Sequence, residues 1–134
     1  YIFQTYPSHT ISLAGSTKDS KYARAILKGI DQSYRDRMVD YTGKTSLLEL
    51  VQLIDQCELL LTNDSVPIHM AAASNKEAIC VFMGENYGRF SPYPDEVYDK
   101  GIFICPPDVN RIVEQEKLNN AIKSILMMKF YMYA

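Results

Sequence analysis

At 134 residues the chain is long enough for one compact domain and too short for two ordinary ones. Its 14 basic and 16 acidic residues leave a formal net charge of −2, which points to neither nucleic acid nor an anionic membrane as partner. No apolar run approaches the length of a membrane span, so no transmembrane segment is expected, and the N-terminus lacks a signal-peptide pattern.

The chain opens without methionine on YIFQTYPSHT, which reads as a strand-like segment, as expected of a piece of a longer protein. Thr10 to Ala14 is a short β-like run that ends at Gly15. The polar GSTKDSK follows, then apolar positions 22, 26 and 30, with 23 and 27 beside them, at helical spacing. Asp19 or Ser20 is the expected cap of that helix. Met38 to Tyr41 reads as a second strand and Thr42 to Ser46 as the turn after it. Ser46 and Glu49 have capping-box spacing. Leu47, Leu50, Val51, Leu53 and Ile54 then form the apolar face of a helix running to Cys57.

Glu58 to Leu61 reads as the third strand, stopping at the polar cluster Thr62-Asn63-Asp64-Ser65. A helix is expected from Val66 to about Ser74. Pro67 suits its first turn, where an N–H has no partner anyway. Ala71, Ala72 and Ala73 let its backbone lie close to a sheet. Ala78 to Met83 reads as a fourth strand buried on both faces and ended by Gly84. A Gly-, Pro- and Tyr-rich loop, Glu85 to Asp95, comes next. Gly101 to Cys105 is a fifth strand halted by Pro106-Pro107, and Leu118 to Met128 a closing helix. The final KFYMYA is unusual and receives no assignment. Cys57, Cys80 and Cys105 each lie in or beside an apolar run and read as buried free thiols in a reducing compartment. No Cys/His spacing suggests a metal site.

Strands alternating with helices imply an α/β fold, a Rossmann-like parallel sheet with helices on both faces. Ligands in such sheets bind at the carboxyl ends of the strands. The polar clusters 15–20, 42–46, 62–65 and 84–89 all belong to that edge. The helix at Val66 would present free N–H groups and the positive end of its dipole there, either as an ordinary capped helix or as an anion site. Gly43-Lys44-Thr45 resembles the end of a phosphate-binding loop, but Met38 stands where its first glycine is required. No dinucleotide fingerprint and no nucleophile elbow occur. His9 reads as a surface residue. His69, in the first turn of the helix, faces a ligand or caps neighbouring backbone.

The segments Thr42-Gly43-Lys44-Thr45-Ser46-Leu47-x-Glu49-Leu50, Leu53-Ile54-x-x-Cys57 and Asn63-Asp64-Ser65-x-Pro67-x-His69-Met70-Ala71-Ala72-Ala73, with Val81-Phe82-x-Gly84 and Pro92-Tyr93, carry a resemblance. They are similar in order and spacing to the C-terminal, donor-binding domain of glycosyltransferase family 9, the heptosyltransferases of lipopolysaccharide core synthesis and their relatives. The resemblance implies that residues 1–134 form one nucleotide-sugar-binding domain, the C-terminal half of a two-domain GT-B fold. It implies an inverting, metal-independent transfer from a nucleoside-diphosphate sugar, ADP-heptose first, with no cofactor. The acceptor, a glycan or glycolipid, and the general base would belong to an N-terminal domain outside this sequence. No catalytic residue is therefore expected here. The expected location is the cytoplasm, including the inner-membrane periphery.

By the same resemblance Asp64, Ser65 and Val66 stand at the donor diphosphate, largely through backbone N–H groups. The Asp64 carboxylate would fix the turn, cap the helix or touch a sugar hydroxyl. His69 matches the family's histidine, Asp19 the acidic residue for the ribose hydroxyls, and Lys44 and Thr45 the turn against base and ribose. Three departures stand out: Val66 replaces a glycine, Glu77-Ala78 lacks a proline, and Met83-Gly84-Glu85-Asn86 replaces Gly-Pro-Thr with an acidic residue near the phosphates. Val66 and Glu85 support a second reading, a Rossmann-like binding or scaffold module without catalysis. A nucleotide-sugar epimerase would need the missing glycine fingerprint.

Overall fold

The computed structural model describes residues 2–81, 89–104 and 131–133. Its elements are α1 (Ile2–Thr5), β1 (Ile11–Ala14), α2 (Ser20–Gly29), β2 (Met38–Asp40), α3 (Leu47–Gln56), β3 (Leu60–Asn63), α4 (Val66–Ala73), β4 (Ala78–Val81), β5 (Gly101–Ile104) and β6 (Tyr131–Tyr133). Two 3-10 turns, Thr17–Asp19 and Gln32–Arg37, precede α2 and β2. The expectations for Met83, Gly84 to Asn86, Cys105 and the helix Leu118 to Met128 lie outside the described residues.

One sheet has the strand order β2-β1-β6-β3-β4-β5. β1 runs parallel to β2, and β3, β4 and β5 run parallel to one another. β6 is antiparallel to both β1 and β3, so the other five strands share one direction and one carboxyl edge. The expected parallel, Rossmann-like sheet is present, and the unassigned tail adds an antiparallel strand at its centre.

Side chains alternate across a strand, so neighbours in sequence enter opposite cores. Ile11 and Leu13 pack with Phe3 and Ala23, against Ile26, Leu27, Ile30 and Leu61. Ala14 and Leu60 pack instead with Ile54, Cys57, Ile68, Ala71 and Cys80. α1 and α2 therefore cover one face and α3 and α4 the other. α2 carries the chain outward from β1 to β2, and α4 carries it outward from β3 to β4 in the opposite direction. Right-handed crossovers require helices on opposite faces for these two moves.

Local chemistry explains most element ends. Ser46 and Glu49 form the expected capping box of α3: Ser46 N–H and Oγ each donate to Glu49 Oε2 at 2.7 Å, and Glu49 N–H donates to Ser46 Oγ at 3.3 Å. Two expectations are corrected. The opening segment is helical over Ile2–Thr5 rather than extended. Burial of Phe3 holds it there, and Arg37 stacks over that ring while donating to the carbonyls of Phe3, Tyr6 and Pro7. The guanidinium thereby satisfies carbonyls at the helix end, where intrahelical donors run out, and the Tyr6 carbonyl also accepts from His9 N–H at 3.3 Å. The third strand begins at Leu60 and continues through Thr62 and Asn63, which stay in register with Cys80 and Val81. Thr62 is buried within the sheet, so the strand outlasts its apolar stretch. Cys57 and Cys80 are buried cysteines, and burial pushes the Cys57 thiol up from its ordinary value.

Candidate functional site

Two groups of βα turns meet the carboxyl edge on either side of β6. The first follows β1 and β2. Gly43 N–H donates to the Gly15 carbonyl at 2.8 Å, which ties the two turns together. Gly43 has φ +70, and a Cβ there would lie 2.9 Å from Thr17 Oγ1 and 3.0 Å from Thr17 Cα. Glycine is thus required for conformation and for contact. That requirement gives Gly43-Lys44-Thr45 its loop-like appearance without a phosphate-binding loop.

In this group the Asp19 carboxylate folds back over the turn. Its Oδ2 accepts from Ser16 N–H at 2.8 Å and from Ser16 Oγ at 2.6 Å. Oδ1 has no partner among the described residues. Asp19 occupies the cap position of α2 but makes no side-chain bond to that helix. Lys44 is exposed, and its Nζ donates to the Asp40 carbonyl at 2.6 Å. Lys44 and Thr45 help line a hollow of about 230 Å³ with Tyr41, Glu49, Gln52, Leu53 and Gln56. Burial raises the Asp40 carboxyl, but bonds from the Thr42 hydroxyl and N–H, with Lys44 and Arg24 nearby, hold it below its ordinary value overall.

The second group follows β3. Asp64 N–H donates to the Val81 carbonyl at 3.2 Å, and Asp64 Oδ1 accepts from Ser91 Oγ at 3.3 Å. The Asp64 carboxylate is thereby tied to the segment after β4. Ser65 is the N-cap of α4, yet its hydroxyl does not cap the helix. It donates instead to Asn63 Oδ1 at 2.7 Å. Val66 is the first helical residue and Pro67 contributes no N–H. Val66 leaves the turn intact: the only positive φ among the described non-glycine residues is at Asn75. Val66 is 54% exposed. Ile68 N–H is bonded back to the Ser65 carbonyl at 3.2 Å.

His69 follows on the same helix. Its Nδ1 lies 2.6 Å from the Tyr93 hydroxyl, and the rings meet edge-on at 83°. Ser91 and Tyr93, from the segment after β4, therefore hold this turn from above. They carry no local signal of that role, because each meets its partner more than twenty residues away in sequence. Pro92-Tyr93 in the family pattern was the nearest indication. Among the described residues no group of three or more His, Cys, Asp or Glu could hold a metal ion. No described helix is long and apolar enough to cross a membrane.

Residues 4–117 match glycosyltransferase family 9 (heptosyltransferase). A lipooligosaccharide heptosyltransferase 2 of Haemophilus influenzae is 35% identical over 109 residues, covering 81% of this chain and 28% of that protein. Lipopolysaccharide heptosyltransferase 2 of Escherichia coli is 31% identical over 84 residues, covering 63% and 24%. The chain thus spans about a quarter of the length of the curated relatives it matches. The solved structure of the E. coli ADP-heptose lps heptosyltransferase II aligns with a TM-score of 0.59 and 26% identity, over 88% of this chain and 37% of that one. The family 9 glycosyl transferase from Veillonella parvula shares the fold with a TM-score of 0.64 at 19% identity, over 93% and 38%.

Proposed function

The chain belongs to glycosyltransferase family 9, and on that footing we propose that it is the donor-binding domain of an inverting, metal-independent heptosyltransferase acting on lipopolysaccharide core or a related glycan. The observation that carries this reading is the start of α4. It opens at the carboxyl end of β3 without a side-chain cap, and His69 follows within its first turns. Backbone N–H groups, the helix dipole and an imidazole are a suitable set for a diphosphate.

In this reading Ser65, Val66 and His69 meet the diphosphate, and Asp64 holds their turn. Lys44 and Thr45 meet base and ribose in the hollow along α3, and Asp19 Oδ1 accepts from a ribose hydroxyl. ADP-heptose is the donor of choice, since an ADP-heptose enzyme is among the structural relatives. An acceptor hydroxyl oxygen attacks the anomeric carbon while the bond from that carbon to the diphosphate oxygen breaks. The nucleoside diphosphate departs with the electron pair, and a carboxylate of the acceptor domain takes the hydroxyl proton. This chain supplies the donor site and leaving-group stabilisation. The reaction belongs in the cytoplasm, at or near the inner membrane, where a glycolipid acceptor would be met.

Calorimetric titration of the folded chain with ADP, UDP and GDP tests the proposal. Saturable binding that favours ADP is expected. Absence of saturable binding to any of them would instead support a Rossmann-like module without donor function, for which the exposed Val66 side chain at the helix mouth is the favouring observation.

A further inference from the structure

The Tyr93 hydroxyl sits 2.6 Å from His69 Nδ1. The Tyr93 ring is held on its other sides. Its centroid lies 6.1 Å from that of Tyr98 at 87°, and 6.5 Å from that of Phe103. Tyr98 is buried and donates its O–H to the Lys76 carbonyl, beyond the end of α4. Tyr98 and Phe103 also pack edge-on, 6.2 Å apart at 80°. Tyr93 thus stands on an aromatic base anchored to β5 and to the segment after α4. Such edge-to-face contacts fix ring orientation.

The direction of the His69–Tyr93 bond follows from the two groups. A phenol carries one proton and needs one acceptor, and a neutral imidazole nitrogen is a good one. Burial raises the Tyr93 hydroxyl from its ordinary value and so keeps that proton in place. The Tyr93 hydroxyl makes no other hydrogen bond among the described residues, and neither does His69 Nε2.

We propose that Tyr93 is the positioning residue for His69, its O–H donating to Nδ1 so that the neutral ring carries its proton on Nε2. That nitrogen is then a hydrogen-bond donor, suited to a phosphate oxygen even when the imidazole is uncharged. Without the phenol both tautomers become accessible, and one of them would turn a lone pair toward the anion. The tautomer stands on the geometry of the pair alone. Its consequence for ligand binding rests on the donor-site reading above.

Long-range proton–nitrogen NMR of the imidazole, at a pH where His69 is neutral, reads the tautomer directly. In the wild-type chain Nδ1 should resonate as an unprotonated nitrogen and Nε2 as a protonated one. Tyr93→Phe should mix the two forms and weaken ADP binding about 3- to 10-fold, the worth of one hydrogen bond. Tyr98→Phe, which loses only the bond to Lys76, should leave the His69 tautomer as it is. A wild-type His69 protonated on Nδ1, or a tautomer unmoved by Tyr93→Phe, would overturn the proposal. The wild-type spectrum decides even if the variant fails to fold. A tautomer that shifts as described in a chain that does not bind ADP supports the positioning role and removes the donor-site reading.

Discussion

Val66 concentrates the functional question at the residue scale. The family resemblance implies glycine there, and Val66 stands more than half exposed at the first position of α4. The backbone does not need glycine at this point, because Val66 has helical φ. The side chain can therefore act only on what approaches from outside. Val66→Gly should cost no more than about 1 kcal/mol of stability, since glycine's helix penalty is of that size. Affinity for ADP should lie between unchanged and roughly tenfold tighter, the gain from an unhindered N–H to a charged acceptor. Calorimetry on both proteins checks the affinity and urea unfolding the stability. Weaker binding by the glycine variant would show that valine contributes to the site.

At the scale of single elements, the turn between β2 and α3 is governed by carboxylates. Asp40 accepts from Thr42 N–H at 2.9 Å and from Thr42 Oγ1 at 2.6 Å, and Thr42 is buried. The folded carboxyl titrates below its ordinary value, so its contribution is complete above the unfolded pKa of about 3.9. It is lost as the pH falls through the lower, folded value. Thr42→Val should thus cost roughly 1 kcal/mol at neutral pH, because solvent screens this half-exposed carboxylate. The difference from wild type should shrink in acid, below about pH 4. Urea unfolding at a series of pH values measures it. A cost that persists unchanged at low pH would assign it to packing rather than to the bond.

Local chemistry also determines which elements could be read from sequence. The bounds of α4 follow from Pro67 and the three alanines, and α3 from its capping box. β3 was legible only as far as its hydropathy, because Thr62 and Asn63 belong to it through pairing with β4. α1 was misread because Phe3 and Arg37, distant in sequence, decide its conformation together.

At the scale of the whole molecule, the doubly wound sheet was legible because apolar runs and helical periods alternate along the chain. The central β6 was not. Its pairing with Ser12 to Ala14 and with Leu60 and Leu61 spans almost the whole sequence and leaves no local trace. The candidate site divides in the same way. Each βα turn was visible in its own segment, whereas the hold of Ser91 on Asp64 and of Tyr93 on His69 depends on tertiary contact. The central claim is that the turn Asp64-Ser65-Val66 and His69 hold a donor diphosphate. Residue-resolved NMR of the folded chain during titration with ADP tests it most directly. The account predicts saturable shifts at the Ser65 and Val66 amides and the His69 ring, joined by Lys44 and Thr45. Shifts confined to the opposite face, around α1 and α2, or none that saturate, would contradict it.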